Sequence, residues 1–182
     1  PYVVYELLGG SPSDLLLPRN FLIVEGVSEV ELISRVISRF YPDQPEIQII
    51  PACGDTDQAK RTINAIEKIF TPLSISLYKN RLVILCDQPS SEKEGGVKQF
   101  LKENKTLKEN GQILFLDKPA IEECYPNREG WLKTHDEQEE MDGKKKRKLA
   151  IRVGTGIEKD EFEANMSEIK KALEVCWEKA FS

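Results

Sequence analysis

Soft metal ligands are scarce in this sequence: 182 residues hold one histidine, His135, and four cysteines. Cys53, Cys86, Cys124 and Cys176 lie far apart and form no Cys-x-x-Cys pair. A structural zinc site is therefore not expected, and the cysteines read as reduced thiols. Nowhere is there a run of about 18 apolar residues, so no membrane span is expected. A secretory leader pattern is also missing, and the expected location is cytoplasmic. Positive charge is not in excess: 26 Lys and Arg against 31 Asp and Glu give a net charge of -5. The chain is thus no general wrapper of nucleic acid, and any DNA contact has to rest on a local basic patch or on metal ions. No G-x-x-x-x-G-K-[ST] loop occurs, which excludes a P-loop ATPase within these residues. The first residue is Pro1 rather than Met, and the sequence is expected to be a piece of something longer.

What is present is 40% apolar and 31% charged, the balance of a globular domain with a real core and a small appendage. Four short apolar runs stand out: FLIV (21–24), IQII (47–50), LVILC (82–86) and QILFL (112–116). Short apolar runs without alternation fit strands buried on both faces of a parallel sheet. Between them the spacing predicts helices. In 28–41 the residues Val30, Ile33, Val36, Ile37 and Phe40 share one face. Ser28 is the expected N-cap there, with Glu31 completing a capping box. A second helix is predicted over 58–70 after the loop PACGDTDQ, where Gly54 marks a turn, and a third over 96–104. The alternation predicts an α/β fold with a parallel sheet of about four strands flanked by helices.

Beyond 126 the pattern changes. THDEQEEMDGKKKRK (134–148) is a block of acid followed by a block of base with no apolar face, so a mobile or solvent-facing segment is expected, with His135 exposed and inert. From 160 to 180, Phe162, Met166, Ile169, Leu173, Cys176 and Trp177 recur at helical spacing and predict a helical C-terminal extension. The expected organisation is a lead-in over 1–20, a core over 21–126, and the charged segment with its helical extension over 127–182.

In open α/β sheets, sites form outside the carboxyl ends of the strands. Glu25 and Asp87 each stand just past such an end. Two carboxylates on neighbouring strands repel unless something positive sits between them. A strand running into Glu-Gly-x-Ser-Glu (25–29), a βα unit, and a strand running into Asp87 resembles a Toprim domain, the metal-binding fold of topoisomerases, bacterial primases and several nucleases. Three stretches, ELLGGSPSDLLLPRNFLIVEGVSE, IQIIPACG and DKPAIEECYP, resemble the corresponding segments of OLD (overcoming lysogenization defect) family nucleases. This resemblance covers roughly 6–173 and is patchy after 126.

The resemblance implies a metal-dependent DNA endonuclease using Mg²⁺ or Mn²⁺, with Glu25, Glu29, Asp87 and Glu122 as metal ligands. Hard ions of this kind take oxygen ligands and keep some waters. Glu25 and Asp87 would hold one ion, while Glu29 and Glu122 help hold a second or act through water. The family also uses a lysine ahead of a Leu-Ala helix start. In KKKRKLA, Lys146 has that spacing and Lys148 is next; either could stabilise the transition state or protonate the leaving oxygen. Lys144, Lys145, Lys146, Arg147 and Lys148 could equally contact DNA phosphates. Partners implied are DNA and an N-terminal ABC-type ATPase domain outside this sequence, which would bring ATP and a homodimer; no membrane is implied. The whole would be an ATPase-nuclease of anti-phage defence. One departure stands out: the usual Asp-x-Asp after the third strand is Asp87-Gln88-Pro89. Pro89 has no ligating side chain, so Glu92 or Glu94 would have to substitute, or the second metal site is weak. The alternatives are a topoisomerase- or primase-type Toprim, and a DNA-binding Toprim without catalysis.

Overall fold

The computed structural model describes residues 20–52, 81–89 and 94–180. The lead-in before Asn20, the Gly54 loop, the helix predicted over 58–70, Cys53 and Glu92 lie outside the described residues. The elements in chain order are β1 (Asn20–Val24), α1 (Val27–Phe40), β2 (Ile47–Pro51), β3 (Leu82–Cys86), α2 (Glu94–Glu103), α3 (Lys105–Glu109) and β4 (Ile113–Phe115). A 3₁₀ turn (Ile121–Glu123) follows, then α4 (His135–Glu139), α5 (Gly143–Gly156), α6 (Lys159–Asn165) and α7 (Ser167–Ala180).

The strands form one four-stranded sheet in the order β2-β1-β3-β4, parallel throughout. The fold is therefore the α/β class that the apolar runs predict. β1 and β3 are central neighbours, with Ile23 opposite Ile84. Their side chains alternate between two apolar layers, which is why both runs are apolar at every position. Leu22, Val24, Val83 and Leu85 face Leu32, Ile33 and Val36 of α1 and Leu173 and Cys176 of α7. Phe21, Ile23, Leu82 and Ile84 face Phe100 of α2 and Leu107 of α3. Cys86, Cys124 and Cys176 are free thiols. No described helix is long and apolar enough to cross a membrane.

Several local expectations are corrected. The start of α1 is capped by Gly26 in an extended conformation, with no side-chain cap, so Ser28 lies inside the first turn and the predicted capping box is absent. Glu31 instead binds Arg35 on its own helix and Arg147 of α5. The C-terminal helix is two helices, α6 and α7, separated at Met166, whose φ of -129° and ψ of 45° break the helical path. The charged block is not a loose segment. Thr134 and Glu137 form a capping box that starts α4, and Asp142 caps α5 through the Lys145 N–H at 2.8 Å.

The basic run is thus the first two turns of α5, whose later residues Leu149, Ala150 and Val153 are buried against the core. α5 lies closely along α1. A Cβ added at Gly154 would stand 3.2 Å from the Leu32 carbonyl oxygen and 3.2 Å from the Arg35 Cβ, tighter than ordinary contact, so glycine eases the close approach of the two backbones. Arg39 of α1 donates to the Gly154 carbonyl at 2.8 Å where the two helices meet.

Candidate functional site

β1 ends at Val24 and the chain turns at once into α1, so Glu25 stands at the carboxyl edge of the sheet. β3, hydrogen-bonded beside β1, delivers Asp87 to the same edge. The Asp87 N–H donates to Glu25 Oε1 at 3.0 Å, which ties the two strand ends together. Glu29 lies in the first turn of α1 and is only 7% exposed. Its Oε2 occupies the space a side chain at position 26 would need, 3.1 Å from where that Cβ would be. Gly26 therefore lets the Glu29 carboxylate fold back over the helix start. Glu122 comes from the 3₁₀ turn after β4; it is 2% exposed, and its buried Oε1 has no hydrogen-bond partner among the described residues.

The electrostatics show that these acids share one environment. Burial pushes Asp87 from 3.8 up to about 9, and Glu25, Glu29 and Glu122 add to the rise, while Lys146 opposes it. Burial likewise raises Glu29 to about 7, against the pull of the Glu29 and Gly26 backbone N–H groups and with further push from Glu122 and Glu25. Glu122 is raised as well, again mainly by burial, with Lys146 pulling it down. Four carboxylates, two from strand ends, one from the first turn of α1 and one from the 3₁₀ turn, therefore share one edge of the sheet, with Lys146 the cation that opposes the rise in Asp87 and Glu122. Among the described residues, no three His, Cys, Asp or Glu side chains are gathered tightly enough to hold a metal ion as they stand.

The basic residues divide by position. Lys146 is half-buried and is the lysine felt by both Asp87 and Glu122. Its ammonium donates to Gln138 Oε1 at 2.6 Å. Lys144, Lys145 and Lys148 are exposed. Arg147, also exposed, is engaged with Glu31 of α1 at 2.5 Å. Glu94 pairs with Lys98 at 3.2 Å on the exposed face of α2.

Two polar residues beside the acids are not picked out by sequence pattern. Tyr125, 2% exposed, has a hydroxyl with no hydrogen-bond partner among the described residues and is raised well above its ordinary value by burial and by the nearby Glu122, Glu29 and Asp87. Gln138 is buried at 6% exposure. The Thr-x-x-Glu spacing at 134–137 is the sequence signal that would have placed Gln138 on a helix. His135 is exposed as expected but not inert: its Nδ1 is 3.1 Å from Glu123 Oε1, and that bond raises its pKa.

The chain matches no protein-family model and no curated protein. Among solved structures it is similar to the C-terminal region of the Burkholderia pseudomallei OLD protein, at 16% identity and a TM-score of 0.48, covering 90% of this chain and 99% of that one.

Proposed function

We propose that this chain is a Toprim-type catalytic region of OLD-family kind that hydrolyses phosphodiester bonds in DNA with Mg²⁺ or Mn²⁺. The observation that supports it is the convergence of Glu25, Glu29, Asp87 and Glu122 at one sheet edge, with the Lys146 ammonium beside them. The residues fit a hard divalent cation. They offer only oxygen donors, Lys146 offsets their mutual repulsion only in part, and among the described residues the buried Glu122 Oε1 has no hydrogen-bond partner. Such an ion, when bound, activates a water and neutralises charge on the phosphate.

The chain's own residues do the rest. Glu25 and Asp87 bind from adjacent strand ends; Glu29 and Glu122 complete the oxygen set from either side. With Asp87 raised to about 9 and Glu29 to about 7, binding a cation at neutral pH displaces protons from these carboxyls. Lys146 stabilises charge on the phosphate or protonates the leaving oxygen. Lys144, Lys145 and Lys148, exposed at the start of α5, meet the DNA backbone. The same reading extends to an ATPase domain elsewhere in the protein, dimerisation through it, and a role in defence against phage.

The test is nicking of supercoiled plasmid. Cleavage with Mn²⁺ or Mg²⁺, abolished by Glu25→Ala and by Asp87→Ala, is the expected result. Activity surviving both substitutions would sink the site assignment, and a religated ladder would point to topoisomerase chemistry. A second reading, a DNA-binding Toprim without catalysis, draws on Pro89 at the usual aspartate position and on the absence of a closed ligand set among the described residues. Binding without cleavage under any divalent ion would favour it.

A further inference from the structure

Lys146 is half-buried beside two carboxyls that it attracts, yet among the described residues its ammonium forms no ion pair with either. What holds it is the amide of Gln138, a residue buried on the short helix α4. An ammonium has donors only, so the Gln138 oxygen must face Lys146 and the amide nitrogen must face the other way. On that other side stands His135 Nδ1, 3.4 Å from Gln138 Nε2, and His135 Nδ1 is itself 3.1 Å from Glu123 Oε1. α4 packs on the 3₁₀ turn that carries Glu122 and Glu123. The Glu123 carboxylate can only accept, so the proton on His135 Nδ1 serves it, and the Gln138 amide nitrogen touches the imidazole without a hydrogen bond. Gln138 is therefore held at its oxygen by Lys146 and in place by its buried position on α4.

We propose that Gln138 is a positioning residue: it tethers the Lys146 ammonium at the rim of the carboxylate cluster, short of an ion pair, so that the charge stays free to meet an incoming phosphate. The proposal rests on the phosphodiester-cleaving reading. Its structural half stands apart from that reading. A lysine on a flexible four-carbon stem beside two acids would otherwise fold onto them and neutralise itself. An acceptor of fixed direction at 2.6 Å prevents this without adding a competing negative charge.

The test uses the full chain and two substitutions at one position. Gln138→Met keeps the volume and removes the acceptor; Gln138→Glu restores an acceptor oxygen. ¹⁵N NMR of lysine ammonium groups should show one slowly exchanging signal in the unsubstituted protein, assigned by its loss in Lys146→Arg. That signal should disappear in Gln138→Met and return in Gln138→Glu. In plasmid nicking, Gln138→Met should lower kcat by about tenfold or more with little change in KM, and add nothing in a Lys146→Ala background. An unsubstituted protein without the protected signal overturns the proposal. So does a Gln138→Met variant that keeps it, or a Gln138→Glu variant that fails to regain it. If the unsubstituted protein does not cleave DNA, the functional reading fails, and the NMR comparison still decides whether Gln138 holds Lys146.

Discussion

At the scale of the residue, the acids at the sheet edge work against the fold that carries them. A carboxyl whose pKa is raised on folding binds its proton more tightly in the native state, so its contribution is fully present below the unfolded pKa and is lost as pH rises through the folded one. For Glu29 that window runs from 4.5 to about 7, and for Asp87 from 3.8 to about 9. Thermal stability in EDTA should accordingly fall between pH 5 and about 9. Asp87→Asn should flatten that fall and raise Tm at pH 8 by a few degrees, on the order of what ~1 kcal/mol gives a domain of this size. Millimolar Mn²⁺ or Mg²⁺ should raise Tm of the unsubstituted protein at pH 8 and leave Asp87→Asn nearly unmoved. Differential scanning fluorimetry across pH, with and without metal, reads all three. An Asp87→Asn variant less stable than its parent at pH 8 without metal would show that the acids are not in conflict.

At the scale of the element, what is legible in the sequence follows from burial. β1 and β3 are covered on both faces, so FLIV and LVILC stand out as unbroken apolar runs, and Glu25 and Asp87 can be placed at their ends by counting. α5 is hidden for the opposite reason. Its first turns, GKKKRK, are charged all round, and the apolar face begins only at Leu149. Nothing periodic marks where the helix starts, and only Thr134 and Asp142, as caps, signal the helical character of the region. The start of α1 misleads because a Ser-x-x-Glu spacing competes with a glycine that the Glu29 carboxylate requires. Tertiary partners, Arg35 and Arg147, claim Glu31 before a cap can. The close passage of α5 over α1 is not legible at all, since a glycine inside a helix has many explanations. It makes a sharp expectation: Gly154→Leu forces the helices apart and should cost about 1–3 kcal/mol, as overpacking does. Urea melts followed by circular dichroism would measure it. A change below a few tenths would mean the helices slide past each other freely.

At the scale of the whole molecule, a net charge of -5 and a basic helix start have to be reconciled. Lys144, Lys145 and Lys148 are exposed together at the start of α5, and Arg147 among them is paired with Glu31. DNA affinity should therefore be weak and steeply salt-dependent. Replacing all three lysines by alanine should reduce the slope of log K against log salt by roughly 2 to 3, near 0.9 for each phosphate that is no longer neutralised. Fluorescence anisotropy over a salt series gives the slope directly; an unchanged slope would move the DNA-binding surface elsewhere.

The site also has a seam. All four acids and Gln138 precede Glu140, while Lys146 follows it, and the connection between α4 and α5 runs through the exposed Glu140 and Asp142. Helix against helix, with Gly154 at the closest point, is what returns Lys146 to the acids. A chain opened at that connection would be two fragments, neither complete alone, whose docking surface already exists where α1 and α5 pack together. Reassembly of the pair would then be a switch that an experimenter can set by concentration.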